Sequence, residues 1–173
     1  MNIKIRDAQE QDLQAIVDAY NTSIDGRNST CDTKYISAES RRGWLNSATK
    51  TRPIWVAEVN NNVAGYLSFS NFMNDRPGYA ITADVGLYIH TKYHGMGIGK
   101  ALLSKAIEFC PTAGIETIAT TIFDSNTASK NLFFSFGFEK WGYMPRVARL
   151  EGTEKDLIMV GLRISREVSG EAA

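Results

Sequence analysis

From Tyr79 to Ile89, apolar side chains take every second position: Tyr79, Ile81, Ala83, Val85, Leu87 and Ile89. Thr82, Asp84, Gly86 and Tyr88 stand between them. A strand points successive side chains to opposite faces, so one face here belongs to a core and the other is free for chemistry. His94-Gly95-Met96-Gly97-Ile98-Gly99-Lys100 follows, then Leu102, Leu103, Ala106, Ile107 and Cys110 at helical spacing. In a strand, glycine loop and helix taken in that order, the glycines let the backbone approach an anion closely. The unpaired N–H groups of the helix N-terminus can bind that anion, and a diphosphate is the natural guest.

The rest of the chain supplies the frame. Residues 2–6 alternate as a short strand, and Asp7 with Glu10 reads as a capping box for a helix carrying Leu13, Ile16, Val17 and Tyr20. Residues 22–35 are a polar loop. Ser37 is expected to cap a second helix bearing Trp44 and Leu45. Pro53–Val59 and Val63–Ser70 flank the turn Asn60-Asn61-Asn62 and should form a hairpin. After the glycine loop and its helix, Glu116–Ile122 is a β-branched strand, and Asp124 or Ser125 opens a helix that stops before Gly137. Phe138–Tyr143 and Leu157–Ile164 are two late strands, and 166–173 reads as a frayed tail. The order β-α-α-β-β-β-α-β-α-β-β implies one α/β (α+β) domain over 1–165, with a mixed, mostly antiparallel sheet of about seven strands and about four helices.

Charge narrows the function. Among 173 residues, 19 Lys and Arg balance 19 Asp and Glu. That balance disfavours nucleic acid and gives no attraction to a membrane surface. No apolar run reaches membrane-spanning length, and the N-terminus lacks a signal core. Cys31 and Cys110, the two cysteines, have no metal-ligand spacing, so a cytoplasmic protein with reduced thiols and no metal is expected.

Glycine spacing decides which diphosphate site is meant. A P-loop requires glycine where this chain has His94, and Ser or Thr where it has Ala101. A dinucleotide fingerprint requires a third glycine where Lys100 or Leu102 stands. The loop instead resembles the acetyl-CoA loop of the GNAT acetyltransferases, Arg/Gln-x-x-Gly-x-Gly/Ala, with His94 in the Arg/Gln place. Asn126, Ala128, Ser129, Leu132 and Gly137-Phe138 are similar to that family's second cofactor motif. Ser29–Thr33 ahead of Glu39 and Trp44, Asp75-Arg76-Pro77-Gly78-Tyr79, Ala83–Ile89 and Lys155-Asp156-Leu157 resemble its phosphinothricin and methionine sulfoximine acetyltransferase branch.

The resemblance implies acetyl-CoA as co-substrate and direct transfer to the α-amine of a small amino-acid-like acceptor. It implies that main-chain groups of Leu87, Tyr88 and Ile89 hold the pantetheine arm. The loop from His94 through Gly95, Met96, Gly97, Ile98, Gly99 and Lys100 would hold the diphosphate, and Asn126 would touch the arm. Lys100 is equally readable as a solvated first-turn lysine. The branch carries its catalytic base, usually Glu, where this chain has Asp84, which is otherwise an anchor or ion-pair partner. Asp titrates near ~3.9 and is a weak base unless its site raises that value. The Ile89 N–H is the expected donor to the thioester carbonyl. Phe133 stands where the family carries Tyr or His, so Tyr143, water or nothing protonates the departing thiolate. Arg76, Asp75 and Thr30 are the substrate-side candidates, Arg76 as a fork for a carboxylate or as a surface charge. His90 reads as a strand-end surface residue; Trp44, Trp55 and Trp141 read as core or interface. The branch implies a homodimer. A protein N-terminal or lysine acetyltransferase, and an acetyl-CoA-binding module without catalysis, are the competing readings.

Overall fold

The alternating N-terminal residues form β1 (Ile3–Asp7), which pairs antiparallel with β2 (Ile54–Val59). β2 turns through Asn60 and Asn61 into β3 (Asn62–Asn71), and β3 pairs antiparallel with β4 (Thr82–Ile89). A computed structural model describes residues 2–164; the tail expected over 166–173 lies outside the described residues. α1 (Leu13–Asp25) and α2 (Ala38–Asn46) separate β1 from β2, and α3 (Ile98–Phe109) follows the glycine loop. β5 (Thr117–Phe123), α4 (Thr127–Ser135), β6 (Glu139–Leu150) and β7 (Thr153–Arg163) complete the chain. The seven strands make one sheet in the order β1-β2-β3-β4-β5-β7-β6. Every neighbouring pair is antiparallel except β4 with β5. This is the mixed, mostly antiparallel α/β architecture the sequence implied.

The strand period sorts side chains as expected. Ala83 and Val85 of β4 are buried in the main core with Leu67 and Phe69 of β3 and Leu102, Leu103 and Ala106 of α3. On the other face, Ile16, Ala19, Tyr20 and Ile24 of α1 pack with Val56 and Tyr66. Burying a Leu, Ile or Val side chain contributes about 1.5–3 kcal/mol, so each helix is held chiefly by its apolar stripe.

Four local expectations are corrected. β4 starts at Thr82, because Pro77 initiates a 3-10 turn over Pro77–Tyr79 and leaves Tyr79 and Ile81 exposed. Asp7 ends β1 rather than capping α1: the approach to α1 is a 3-10 turn over Glu10–Asp12, where the Gln9 N–H donates to the Asp12 carboxylate at 2.8 Å. Ser37 does cap α2 through the Ser40 amide at 3.2 Å, but α4 is capped by Asn126 instead of Asp124 or Ser125. The two late strands are one long hairpin turning at Glu151-Gly152, both with positive φ, and β6 is interrupted by two irregularities of register. The bulges hide the alternation that would have revealed its length.

Candidate active site

β4 and β5 run parallel and pair only at Thr82 with Thr117 and Ala83 with Ile118. Beyond Ala83 they part. The last tie is the Thr120 hydroxyl, which donates to the Val85 carbonyl at 3.0 Å. Main-chain polarity along the open stretch follows from the ladder. The His90 N–H donates to the Ala64 carbonyl of β3 at 2.9 Å, and antiparallel bonding alternates along a strand. Tyr88 therefore faces β3 with its main chain, while Val85, Leu87 and Ile89 turn theirs into the fork. Leu87 and Ile89 are the two positions able to hydrogen-bond an extended amide arm there. Tyr88, expected beside them, contributes its ring to the cavity instead.

The fork opens into a cavity of about 640 Å³ whose walls include Asp84, Tyr88, Phe133 and the loop glycines Gly95, Gly97 and Gly99. That volume suits a small-molecule site. Gly95 and Gly97 have φ of 75° and 78°, a region that favours glycine, and a Cβ built on either meets no atom within 4 Å. Gly97 is the N-cap of α3 and offers no side chain as a cap. The Ala101 N–H bonds to the Gly97 carbonyl, and the amides from Gly95 to Lys100 bond to no described residue. Unpaired donors at the start of a twelve-residue helix, fronted by open space, are suited to a diphosphate. Gly99 has a second use: its Cβ would stand 3.1 Å from Leu132, so α3 and α4 pack closely there. The Met96 and Lys100 side chains are exposed and do not line the cavity.

His94 folds back on the strand: its Nε2 lies 2.9 Å from the Ile89 carbonyl, which makes Nε2 the protonated ring nitrogen. The side chain in the family's Arg/Gln place thus fastens the glycine loop to the end of β4. Asn126 accepts from the Ser129 N–H at 3.0 Å and donates to Ser29 Oγ at 3.3 Å, tying α4 to the loop after α1 at the cavity edge. His90 caps the turn before the loop, its Nδ1 accepting from the Lys92 N–H at 3.1 Å.

Asp84 faces the cavity opposite the α3 core. Burial pushes its carboxyl above the ordinary range, with Thr120 and the Val85 amide opposing the shift. A carboxylate raised this way is a better base than a solvated one. The upward shift is what the sequence lacked: β4 alternation gave Asp84 its face but not its burial.

The other candidates divide. Thr30 is buried and lies 2.6 Å from the Tyr20 hydroxyl, which also donates to Asp32 at 2.5 Å; it pins the loop to α1 and does not line the cavity. Arg76 and Asp75 are exposed outside it, with Asp75 bonded to Asn71. Tyr143 is exposed on the β6–β7 hairpin, donates to Asp156 at 2.5 Å and is equally outside. Phe133 is buried edge-on against Phe138. Trp55 is core, Trp44 lines the cavity, and Trp141 lies exposed over Gly161. The cavity also recruits Arg41, Tyr20, Tyr66, Ser68 and Ser70, which sequence reasoning missed. Arg41 and Trp44 stand three apart on α2, a spacing that puts them on one face; the register bringing Ser68 and Ser70 opposite Gly86 and Asp84 leaves no local mark. Among the described residues, no group of His, Cys, Asp or Glu could hold a metal ion, and no helix is long and apolar enough to cross a membrane.

A splayed strand pair with free main-chain groups, an uncapped glycine loop beside it and a cavity-facing carboxylate suit a co-substrate that carries a diphosphate on an extended amide arm. The chain belongs to the acetyltransferase (GNAT) family, whose pattern matches residues 13–138. It is 39% identical over 162 residues to YwnH of Bacillus subtilis, provisionally assigned as a phosphinothricin acetyltransferase, covering 93% of this chain and 99% of that one. It is 30% identical over 168 residues to an L-methionine sulfoximine/L-methionine sulfone acetyltransferase of Pseudomonas aeruginosa, covering 95% and 96%. The crystal structure of a phosphinothricin acetyltransferase from Sinorhizobium meliloti in complex with acetyl-CoA superposes with a TM-score of 0.90 at 26% identity, covering 100% of this chain and 94% of that one. The chain is accordingly an acetyl-CoA-dependent N-acetyltransferase.

Proposed function

We propose that this enzyme acetylates the α-amine of a small amino-acid-like acceptor of the phosphinothricin, methionine sulfoximine or methionine sulfone type. The observation that carries the reading is the position of Asp84, at the closed end of the β4–β5 fork and on the wall of one cavity with the glycine loop. The names of the relatives at 39% and 30% identity support the acceptor class.

Acetyl-CoA supplies a thioester carbonyl for the free amine to attack. The amides from Gly95 to Lys100 bind its diphosphate, and the main chains of Leu87 and Ile89 bind its arm, with Asn126 alongside. Asp84 takes the proton of the acceptor ammonium through a bridging water, since Asp is one methylene shorter than the Glu usual in the branch. The Ile89 N–H points into the fork and donates where negative charge develops on the carbonyl oxygen. Phe133 offers the departing sulfur no proton, and Tyr143 is outside the cavity, so solvent completes that step.

The cytoplasmic location and the homodimer belong to the same proposal. Trp141, Tyr143 and Val147 expose apolar surface along edge strand β6, which suits a partner, and sedimentation would measure the oligomer. The deciding experiment is acetyl-CoA turnover with a panel of amino-acid analogues, protein N-terminal peptides and lysine peptides. Transfer confined to small α-amino acids is expected; transfer to peptides alone overturns the acceptor class.

A further inference from the structure

We propose that Arg41 is the carboxylate-binding residue of the acceptor pocket, and that Tyr20 and Trp44 hold it ready. The inference rests on the amino-acid acceptor proposed above. Arg41 and Asp84 are the only Lys, Arg, Asp or Glu among the residues lining the cavity. The Arg41 guanidinium carbon lies 4.9 Å from the Tyr20 ring centroid and 5.4 Å from that of Trp44. Among the described residues it has no hydrogen bond and no ion pair, although Asp32 bonds to the hydroxyl of that same Tyr20. A guanidinium carries five N–H donors in a planar fork that matches a carboxylate. Contacts to aromatic faces satisfy its charge in part and leave those donors unused. None of its nitrogens is sealed from solvent without a partner, and the residue lines the cavity.

Its placement relative to the base fits an α-amino acid. The Tyr88 ring stacks on Tyr66 with centroids 5.5 Å apart and meets Tyr20 edge-on at 4.8 Å. Arg41 sits over the Tyr20 ring, Tyr20 meets Tyr88, and Tyr88 shares a face of β4 with Asp84 four residues earlier, so a row of rings links the cation to the base side of the pocket. Trp44 closes the apolar side against Tyr66 at 5.6 Å. A cation at one end, a base at the other and aromatic rings between them suit a zwitterion with a compact, weakly polar side chain.

The test compares methionine sulfone with 3-(methylsulfonyl)propan-1-amine, which has the same amine and side chain but no carboxylate. In Arg41→Met, KM for methionine sulfone should rise roughly ten- to a hundredfold, the range of one lost charge-assisted contact. KM for acetyl-CoA and both constants for the amine should hold, and Arg41→Lys should recover part of the loss. Equal weakening of both acceptors would mean that Arg41 only props α2 on α1, and overturns the proposal. So would wild type that uses both acceptors equally well. If wild type transfers to neither, the acceptor proposal fails separately, and calorimetric titration with methionine sulfone in the presence of CoA then decides for Arg41. Binding lost in Arg41→Met supports it; unchanged binding, or none to wild type, overturns it.

Discussion

The Thr120 hydroxyl on β5 donates to the Val85 carbonyl on β4 at 3.0 Å, one residue past Asp84. It lies just beyond the point where the two strands stop pairing, so one side chain closes the fork and borders the proposed base. The same hydroxyl group opposes the rise in the Asp84 carboxyl that burial causes. Strand geometry and base strength are therefore coupled at Thr120.

As the proposed base, Asp84 would act in its ionised form, so kcat/KM should rise with pH through a limb set above the usual carboxylate range. Asp84→Asn should abolish that limb and lower kcat about 10²–10⁴-fold, the usual span for a lost general base. Thr120→Val removes a group that lowers the Asp84 value, so its limb should move to higher pH with the maximum rate little changed. The sign for stability is opposite to the usual carboxylate case. A folded-state value raised above the unfolded one means that the native state binds more protons in between, so stability falls as pH rises through that window. Asp84→Asn should therefore raise Tm at neutral pH relative to wild type while destroying activity. A pH–rate profile and a thermal melt of each variant check both halves.

Much of this was legible in the chain because the informative signals were local. Alternation in β4 put Asp84 on the free face, glycine spacing marked the start of α3, and Ser37 announced α2. The misses were of two kinds. Competing local chemistry moved boundaries, as Pro77 did to β4 and Asn126 did to α4. Long-range register was invisible: nothing near Arg41, Ser68 or Ser70 says that they share a cavity with Asp84, and nothing near Tyr143 says that the long β6–β7 hairpin carries it away.

The His94 Nε2–H donates to the Ile89 carbonyl at 2.9 Å and fastens the glycine loop to the end of β4. His94→Ala frees the loop from β4 and should raise KM for acetyl-CoA about tenfold, one hydrogen bond of order 1 kcal/mol plus lost order, with the acceptor KM unchanged. Initial-rate kinetics of wild type and variant, with each substrate varied in turn, check both halves.

Tyr143 is bonded to Asp156 on the solvent side of the hairpin, and the Arg146 N–H donates to the same carboxylate at 2.7 Å. Tyr143→Phe should leave kcat and both KM values unchanged, whereas a proton donor at that position would lose kcat. Steady-state kinetics with acetyl-CoA decide the point.

Arg6 joins three segments of chain: it donates to Asp12 at 2.6 and 2.8 Å and to Glu58 at 2.9 and 2.5 Å, linking β1, the entry to α1, and β2. The Asp12 side chain is 5% exposed. Burial alone would raise its carboxyl, but the Arg6 bonds and the Gln9 amide together hold it below the ordinary value. Such a group contributes stability above its unfolded value and loses it as pH falls through the folded one. Asp12→Ala leaves the guanidinium half paired in a part-buried site and should cost about 3 kcal/mol. For a domain of this size that is a fall of roughly 6–12 °C in Tm. The variant should also lose the part of the wild-type acid transition that lies below the usual Asp value. Asp12 stands at the entry to α1 and outside the cavity lining, so kcat and both KM values at neutral pH and low temperature should stay those of wild type. Melting curves from neutral to acid pH, beside kinetics on the folded variant, separate this fastening of the sheet to α1 from the chemistry at Asp84.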